Sequence, residues 1–113
     1  MRIGVTSQNF RTITGHAGKS RRYLVFTADG KGELVEVERF DLPLEMSIHA
    51  YHGEAHPVFG LDMVITGGCG EGYVRRLAAH GVQVVATSAT DPVTAATAAF
   101  NGQPLPPAAP HEH

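Results

Sequence analysis

A short apolar strand that runs directly into a glycine-rich turn restricts the fold of this chain more than any other feature. Residues 62–66 form an apolar run with the length of a strand that is buried on both faces. Four of the next six residues, 67–72, are glycine, and residues 73–80 have the pattern of an amphipathic helix that stops at Gly81. A buried strand over residues 82–86 follows, so the pattern predicts a parallel α/β unit.

The first forty residues have a pattern typical of antiparallel strands. Residues 2–6 and 33–40 alternate polar and apolar side chains, and residues 22–28 are rich in β-forming side chains. The Asp-Gly-Lys-Gly sequence at residues 29–32 is a turn signal, so we expect a β-hairpin. The first three strands should therefore be antiparallel neighbours.

Two further helices are predicted. Residues 44–61 carry mixed helical signals, interrupted by Gly53 and Pro57, and Asp91 with Pro92 should begin a helix that ends near residue 100. The order β-β-β-α-β-α-β-α predicts an α/β fold with one mixed five-stranded sheet flanked by helices. We expect one domain over residues 1–102, with residues 103–113 as a disordered Pro- and His-containing tail.

Composition excludes some classes of function. The formal net charge is -2, which argues against a nucleic-acid partner held through its phosphates. Cys69 is the single cysteine, so no internal disulfide forms and a reducing compartment is favoured. The chain has no apolar stretch of membrane-helix length and no signal-peptide pattern, so we expect a cytoplasmic protein.

Three of the seven histidines lie close together in the sequence, at His49, His52 and His56. If the segment is helical, their spacing places them on one face, where neutral imidazoles bind transition metals or iron–sulfur species. Pro57 weakens the geometry at His56, because the residue before a proline tends to leave the α region. The alternative is a solvated polar face without a ligand.

The glycine turn is a candidate anion site. Gly67, Gly68 and Gly70 let backbone amides approach a ligand, and the start of the helix adds partial positive charge. Cys69 in this turn should be more acidic than a free thiol, and hence a better ligand or nucleophile. The alternative is a tight turn with a buried, inert cysteine.

His16 lies in the loop that follows the first strand. Loops at the carboxyl ends of strands surround the ligand crevice of open α/β sheets, so this loop and the turn at Cys69 should share one edge. His16 would then approach Cys69, although a lone loop histidine is more often solvated. If Cys69 is instead a catalytic nucleophile, it requires a base, and His16 or His49 would supply one only if folding brings it near Cys69.

Several segments resemble the dinitrogenase iron–molybdenum cofactor biosynthesis family, the NifX-like proteins, over residues 1 to about 102. The matching segments are residues 2–7, 15–18, 22–26, 62–70 and 81–84. The resemblance implies a ribonuclease-H-like fold and a protein that carries iron–molybdenum cofactor or its iron–sulfur precursor.

The resemblance also bears on particular residues. His16 matches the family's glycine–histidine loop, and Cys69 stands where many members have Met, another soft sulfur donor. Ala17 departs from the family, which usually has an aromatic residue in the histidine loop, so the pocket should be less enclosed.

The leading hypothesis is therefore a cluster carrier. Its expected metal ligands are His16 and Cys69 with one or more of His49, His52 and His56. The backbone amides of the glycine turn, at Gly67, Gly68 and Gly70, are expected to bind the cofactor and offset the negative charge of its sulfides. Its partners would be cofactor-assembly proteins, and the chain would be a monomer or a homodimer. The alternatives are a mononuclear zinc or copper site, a Cys69-dependent enzyme, and an interaction module without metal.

Overall fold

The computed structural model of the chain describes residues 1–108. It contains one five-stranded sheet, two α-helices and three short 3₁₀ turns. The strands are β1 (Arg2–Thr6), β2 (Arg22–Ala28), β3 (Leu34–Asp41), β4 (Met63–Thr66) and β5 (Gln83–Ala86). The helices are α1 (Glu71–Ala78) and α2 (Pro92–Phe100), and the 3₁₀ turns are Ala17–Lys19, Leu44–Met46 and Pro57–Gly60.

The sheet is mixed, as predicted, with the strand order β3-β2-β1-β4-β5. The first three strands pair antiparallel, whereas β4 pairs parallel with both β1 and β5. Alternate side chains enter two separate cores, which explains why the first three residues of β4 are all apolar. Val64 packs into the core that contains Leu77 of α1, while Met63 and Ile65 pack into the core that contains Ala95 and Ala96 of α2.

The α2 boundary follows its local sequence signals. Asp91 accepts a hydrogen bond from the Thr94 amide at 2.8 Å, and Pro92 occupies the first helical position. The predicted N-cap is therefore confirmed. Neither helix of the described residues 1–108 has the length and apolar character that a bilayer span requires.

The helix predicted over residues 44–61 is wrong. Residues 42–62, hereafter the β3–β4 connection, contain only the two 3₁₀ turns Leu44–Met46 and Pro57–Gly60. His56 is extended, with φ -148° and ψ 142°, because the ring of Pro57 disfavours the α region at the residue before it. The chain order is consequently β-β-β-β-α-β-α.

The predicted disorder of the tail from residue 103 is also wrong for the part that the structure describes. Leu105 packs against the core beneath α2, and Pro107 forms a β-bridge with Thr87. The buried Thr87 hydroxyl donates a hydrogen bond to the Pro106 carbonyl at 2.6 Å. Residues 109–113, with His111 and His113, lie outside the described residues.

Candidate functional site

Two loops meet at the carboxyl ends of β1 and β4, because these strands are parallel neighbours. The Gly67 amide donates to the Thr14 carbonyl at 3.0 Å, and the Ala17 amide donates to the Gly68 carbonyl at 3.1 Å. A Cβ on Gly67 would lie 3.2 Å from the Gly15 nitrogen, so glycine is what allows this close approach. The loop after β1 and the turn after β4 therefore form one continuous wall.

The β3–β4 connection supplies the opposite wall. The His49 amide donates to the Gly18 carbonyl at 2.7 Å, which fixes this segment beside the loop that carries His16. The three segments enclose a cleft of about 330 Å³, hereafter the main pocket. Its lining residues are His16, Ala17, Gly18, Lys19, His49, Gly68, Cys69 and Gly70.

The structure therefore brings His16, His49 and Cys69 together although they are far apart in the sequence. Gly68 and Gly70 line the same pocket, and Gly67 forms the backbone contact behind it. Of the eight residues proposed from sequence, His52 and His56 are the two that the structure places elsewhere.

His16 has an unusual backbone conformation at the mouth of the pocket. Its φ of 54° and ψ of 49° lie in the left-handed region, and its side chain is exposed. A non-glycine residue there costs about 1–3 kcal/mol, and such residues cluster at functional sites. The conformation also begins the 3₁₀ turn Ala17–Lys19, which places Lys19 on the rim of the same pocket.

Cys69 is half-buried at the base of the pocket, and its predicted acidity is wrong. Burial raises the pKa of the Cys69 thiol, because the side chain packs against the core that contains Tyr73. This loss of solvation acts against the partial positive charge at the start of α1. Cys69 is therefore a neutral thiol near pH 7.

His56 is buried within the β3–β4 connection, and both of its ring nitrogens are occupied. Nδ1 accepts a hydrogen bond from the Val58 amide at 3.0 Å, so Nε2 carries the proton and donates to the Met46 carbonyl at 2.6 Å. Burial lowers the pKa of His56, and the charge of Arg76 lowers it further, while the hydrogen bond to Met46 opposes both. With no lone pair available, His56 is removed from the ligand set.

His52 is exposed and does not line the main pocket. The prediction that His49, His52 and His56 share one helical face is wrong, since no helix forms there. Only His49 reaches the pocket. Among residues 1–108, moreover, no three or more His, Cys, Asp or Glu side chains are grouped as a metal site requires.

A smaller cleft of about 220 Å³, hereafter the side pocket, adjoins the main pocket at Gly18 and His49. Tyr73 and Arg76 of α1 line it, together with Ile48 and Gly72. The chain has eleven acidic residues, yet none of them lines either pocket in the part of the chain that the structure describes. Both pockets are therefore suited to negatively charged ligands.

Sequence reasoning missed Lys19, Tyr73 and Arg76. Lys19 directly follows the glycine–histidine loop, so its position beside the main pocket could have been predicted from the sequence. Tyr73 and Arg76 are three residues apart on α1 and so share a face, a signal that indicates a common environment. The β3–β4 connection packs beside this face of α1, and the sequence pattern does not predict the path of that connection.

Comparison with known proteins identifies the family of the chain and proteins with a similar fold. A family model described as "Dinitrogenase iron-molybdenum cofactor" matches residues 1–103. The fold is similar to a crystal structure described as that of PH0822, with TM-score 0.64, 20% identity, and coverage of 91% of this chain and 93% of that chain. It is also similar to the NMR structure of a NifB-like Thermotoga protein (TM1290) of the DUF35 family. That likeness has TM-score 0.55 and 16% identity, and covers 99% of this chain and 97% of that chain. No curated protein matches the sequence.

Proposed function

Since this chain belongs to the dinitrogenase iron-molybdenum cofactor family, we propose that it binds a preassembled iron–molybdenum or iron–sulfur cluster in the main pocket. The cluster is cargo that passes between cofactor-assembly proteins, and the chain is a carrier without a catalytic step of its own. The observation that carries this proposal is that His16, His49 and Cys69 line one pocket, and that no carboxylate of residues 1–108 lines it.

The size of the pocket and the number of its donors favour a cluster over a single ion. The volume of about 330 Å³ equals roughly ten water molecules at about 30 Å³ each. A mononuclear zinc site needs three or four protein ligands close enough to share one ion. His16, His49 and Cys69 line the same pocket, but no three such side chains of residues 1–108 lie close enough together to hold a single ion. A preassembled cluster already contains bridging sulfides, so it needs fewer ligands from the protein.

Each part of the pocket has a chemical role in this proposal. The Cys69 sulfur and the His16 and His49 imidazoles are donors for iron-containing species. Lys19 and the start of α1 at Gly70, which has no side-chain cap within residues 1–108, offset the negative charge of the sulfides. Few ligands together with charge complementarity suit a carrier, which must release its cargo.

Three other expectations belong to the same proposal. We propose that the sheet is of the ribonuclease-H-like type. The strand order β3-β2-β1-β4-β5, with two antiparallel and two parallel strand pairs, supports this proposal. We propose that the protein works in the cytoplasm, where Cys69 stays reduced. We also propose that the carrier acts as a monomer or a homodimer.

A Cys69-dependent enzyme has less support. Burial raises the pKa of the thiol, and in residues 1–108 no hydrogen bond joins Cys69 to a histidine that would act as its base. The nucleophile is therefore neither acidic nor paired.

The test is anaerobic loading of the full chain, followed by iron, molybdenum and acid-labile sulfide analysis after gel filtration. Cys69→Ser, His16→Gln and His49→Gln should each lower cluster retention about tenfold or more, since each removes a metal donor. His52→Gln is the matched control, because His52 is exposed and outside the pocket, and it should retain cluster like the parent.

Two results would contradict the proposal. Equal retention by all four variants would make the pocket residues irrelevant to cluster binding. Stoichiometric zinc without sulfide, bound by the parent under the same conditions, would instead favour the mononuclear alternative.

A further inference from the structure

The side pocket holds a buried hydroxyl whose hydrogen-bonding capacity is not exhausted. The hydroxyl oxygens of Tyr23 and Tyr73 are 2.8 Å apart, and the two residues are 0% and 6% exposed. Each hydroxyl has one proton, so a single mutual hydrogen bond uses one of the two protons. Tyr23 is fully enclosed, whereas Tyr73 lines the side pocket. Either hydroxyl can donate in the mutual hydrogen bond, and when Tyr23 donates, the Tyr73 proton is left for a further acceptor.

Arg76 is held rigidly in the wall of the same pocket. Its guanidinium donates to the Ile48 carbonyl at 2.5 Å and to the Gly53 carbonyl at 3.5 Å. It also lies 5.9 Å from the centre of the Tyr51 ring and 5.6 Å from the centre of the Phe59 ring. These contacts fix the guanidinium before any ligand arrives, which lowers the entropic cost of binding.

The charge of Arg76 has no acidic partner among residues 1–108, whose salt bridges all involve other side chains. Arg75, the preceding residue, instead pairs with Glu71 at 3.6 Å. A guanidinium has five N–H donors, and the two carbonyls occupy two of them. The side pocket thus combines an uncompensated positive charge with several free donors.

We infer that the side pocket binds a carboxylate or an inorganic oxyanion through the Tyr73 hydroxyl and the Arg76 guanidinium. Charge-assisted hydrogen bonds from a guanidinium and a buried hydroxyl are a strong combination for such oxygens. Because the side pocket adjoins the main pocket at His49, the anion is either an oxygen-bearing group of the cargo or a free anion beside it. Only the first source rests on the proposed function.

The probe is inorganic phosphate, titrated into the cluster-free full chain and followed by amide and guanidinium NMR shifts at Gly72 and Arg76. Two variants form a matched pair, since Tyr73→Phe and Tyr23→Phe both remove the same buried hydrogen bond. Only Tyr73→Phe changes a residue that lines the side pocket. It should weaken phosphate binding about tenfold or more, whereas Tyr23→Phe should stay within about twofold of the parent.

Equal weakening in the two variants would overturn the inference, because it would reduce the tyrosine pair to a packing role. Absence of saturable shifts at Gly72 and Arg76 in the parent would overturn it as well. Neither result touches the proposed function, which is read independently from cluster loading.

A second arm of the experiment identifies the source of the anion. Phosphate that competes with cluster loading, with Tyr73→Phe weakening both, supports an oxygen-bearing group of the cargo. Phosphate that binds equally well to the cluster-loaded chain supports a free anion. If the parent chain loads no cluster yet phosphate still binds with the same tyrosine dependence, the carrier proposal fails and the anion site stands.

Discussion

Replacement of His56 with Phe tests whether this histidine stabilises the fold or binds metal. The substitution keeps an aromatic ring beside Tyr51 and Phe59, whose ring centres lie 5.0 and 5.5 Å from that of His56. It removes both ring nitrogens, so the Val58 amide and the Met46 carbonyl lose their partners. An unsatisfied buried polar group costs about 1–3 kcal/mol, so we expect the two groups together to cost about 2–6 kcal/mol.

The loss should depend on pH. Burial is the main reason why the pKa of His56 in the folded chain lies below its ordinary value of 6.5. Between the folded-state pKa and 6.5, the unfolded chain binds more protons than the folded chain, so the parent loses stability as pH falls. His56→Phe lacks this titration, and the difference in unfolding free energy between parent and variant should therefore shrink below pH 6.5.

Urea denaturation at several pH values measures this difference as a change in midpoint at constant slope. His52→Phe is the control, since His52 is exposed, and it should change stability by less than about 0.5 kcal/mol. A loss for His56→Phe below about 0.5 kcal/mol, or a difference independent of pH, would refute the reasoning. Loss of cluster retention at unchanged stability would show that His56 is a ligand after all.

Two further substitutions test how the pocket walls are held. Arg76→Met should destabilise the chain by about 1–3 kcal/mol and speed amide exchange over residues 47–53, because it removes both hydrogen bonds to the β3–β4 connection. Arg75→Met should change stability by less than about 0.5 kcal/mol, since it removes only an exposed ion pair; equal effects would contradict the role of Arg76. Gly67→Ala should cost about 1–3 kcal/mol in thermal unfolding, because its Cβ would press on the Thr14 backbone at 3.2 Å. Gly72→Ala, with open space around its Cβ in α1, should gain up to about 1 kcal/mol, and a loss there would contradict the geometry.

The sheet was predictable because its signals are local and repeated. Period-two alternation and the turn at residues 29–32 predicted the hairpin, and the apolar run ending at Thr66 predicted a strand covered on both faces. The predicted strand bounds lie within one residue of the observed ones, and β1 and β4 are neighbours as expected. The shared pocket of His16 and Cys69 follows from that adjacency.

The β3–β4 connection was not predictable in the same way. The helical spacing of His49, His52 and His56 is a coincidence of sequence, because the path of this segment depends on distant partners. The Gly18 carbonyl and the Arg76 guanidinium fix it, and neither lies near it in the sequence. Single-sequence periodicity contains no information about such contacts.

The prediction that the Cys69 thiol is acidic was wrong for a related reason. Position at a helix start is a local property that lowers the pKa of a thiol, whereas burial against a core containing Tyr73 is a property of the folded chain and raises it. The prediction that residues 103–108 are disordered was wrong for the same kind of reason. The Thr87 hydroxyl gives the proline-rich segment a hydrogen-bond partner that its composition does not indicate.

Main-chain hydrogen bonds join the walls of the main pocket, so the shape of the pocket depends little on the side chains that line it. The Ala17 amide bonds to Gly68, and the His49 amide bonds to Gly18, whatever side chains residues 17 and 49 carry. A substitution at residue 49 or 69 therefore changes a side chain of the pocket while these backbone hydrogen bonds are kept. Relatives with the same sheet are free to differ in the side chains that line the cleft, because the backbone that presents those side chains does not depend on them.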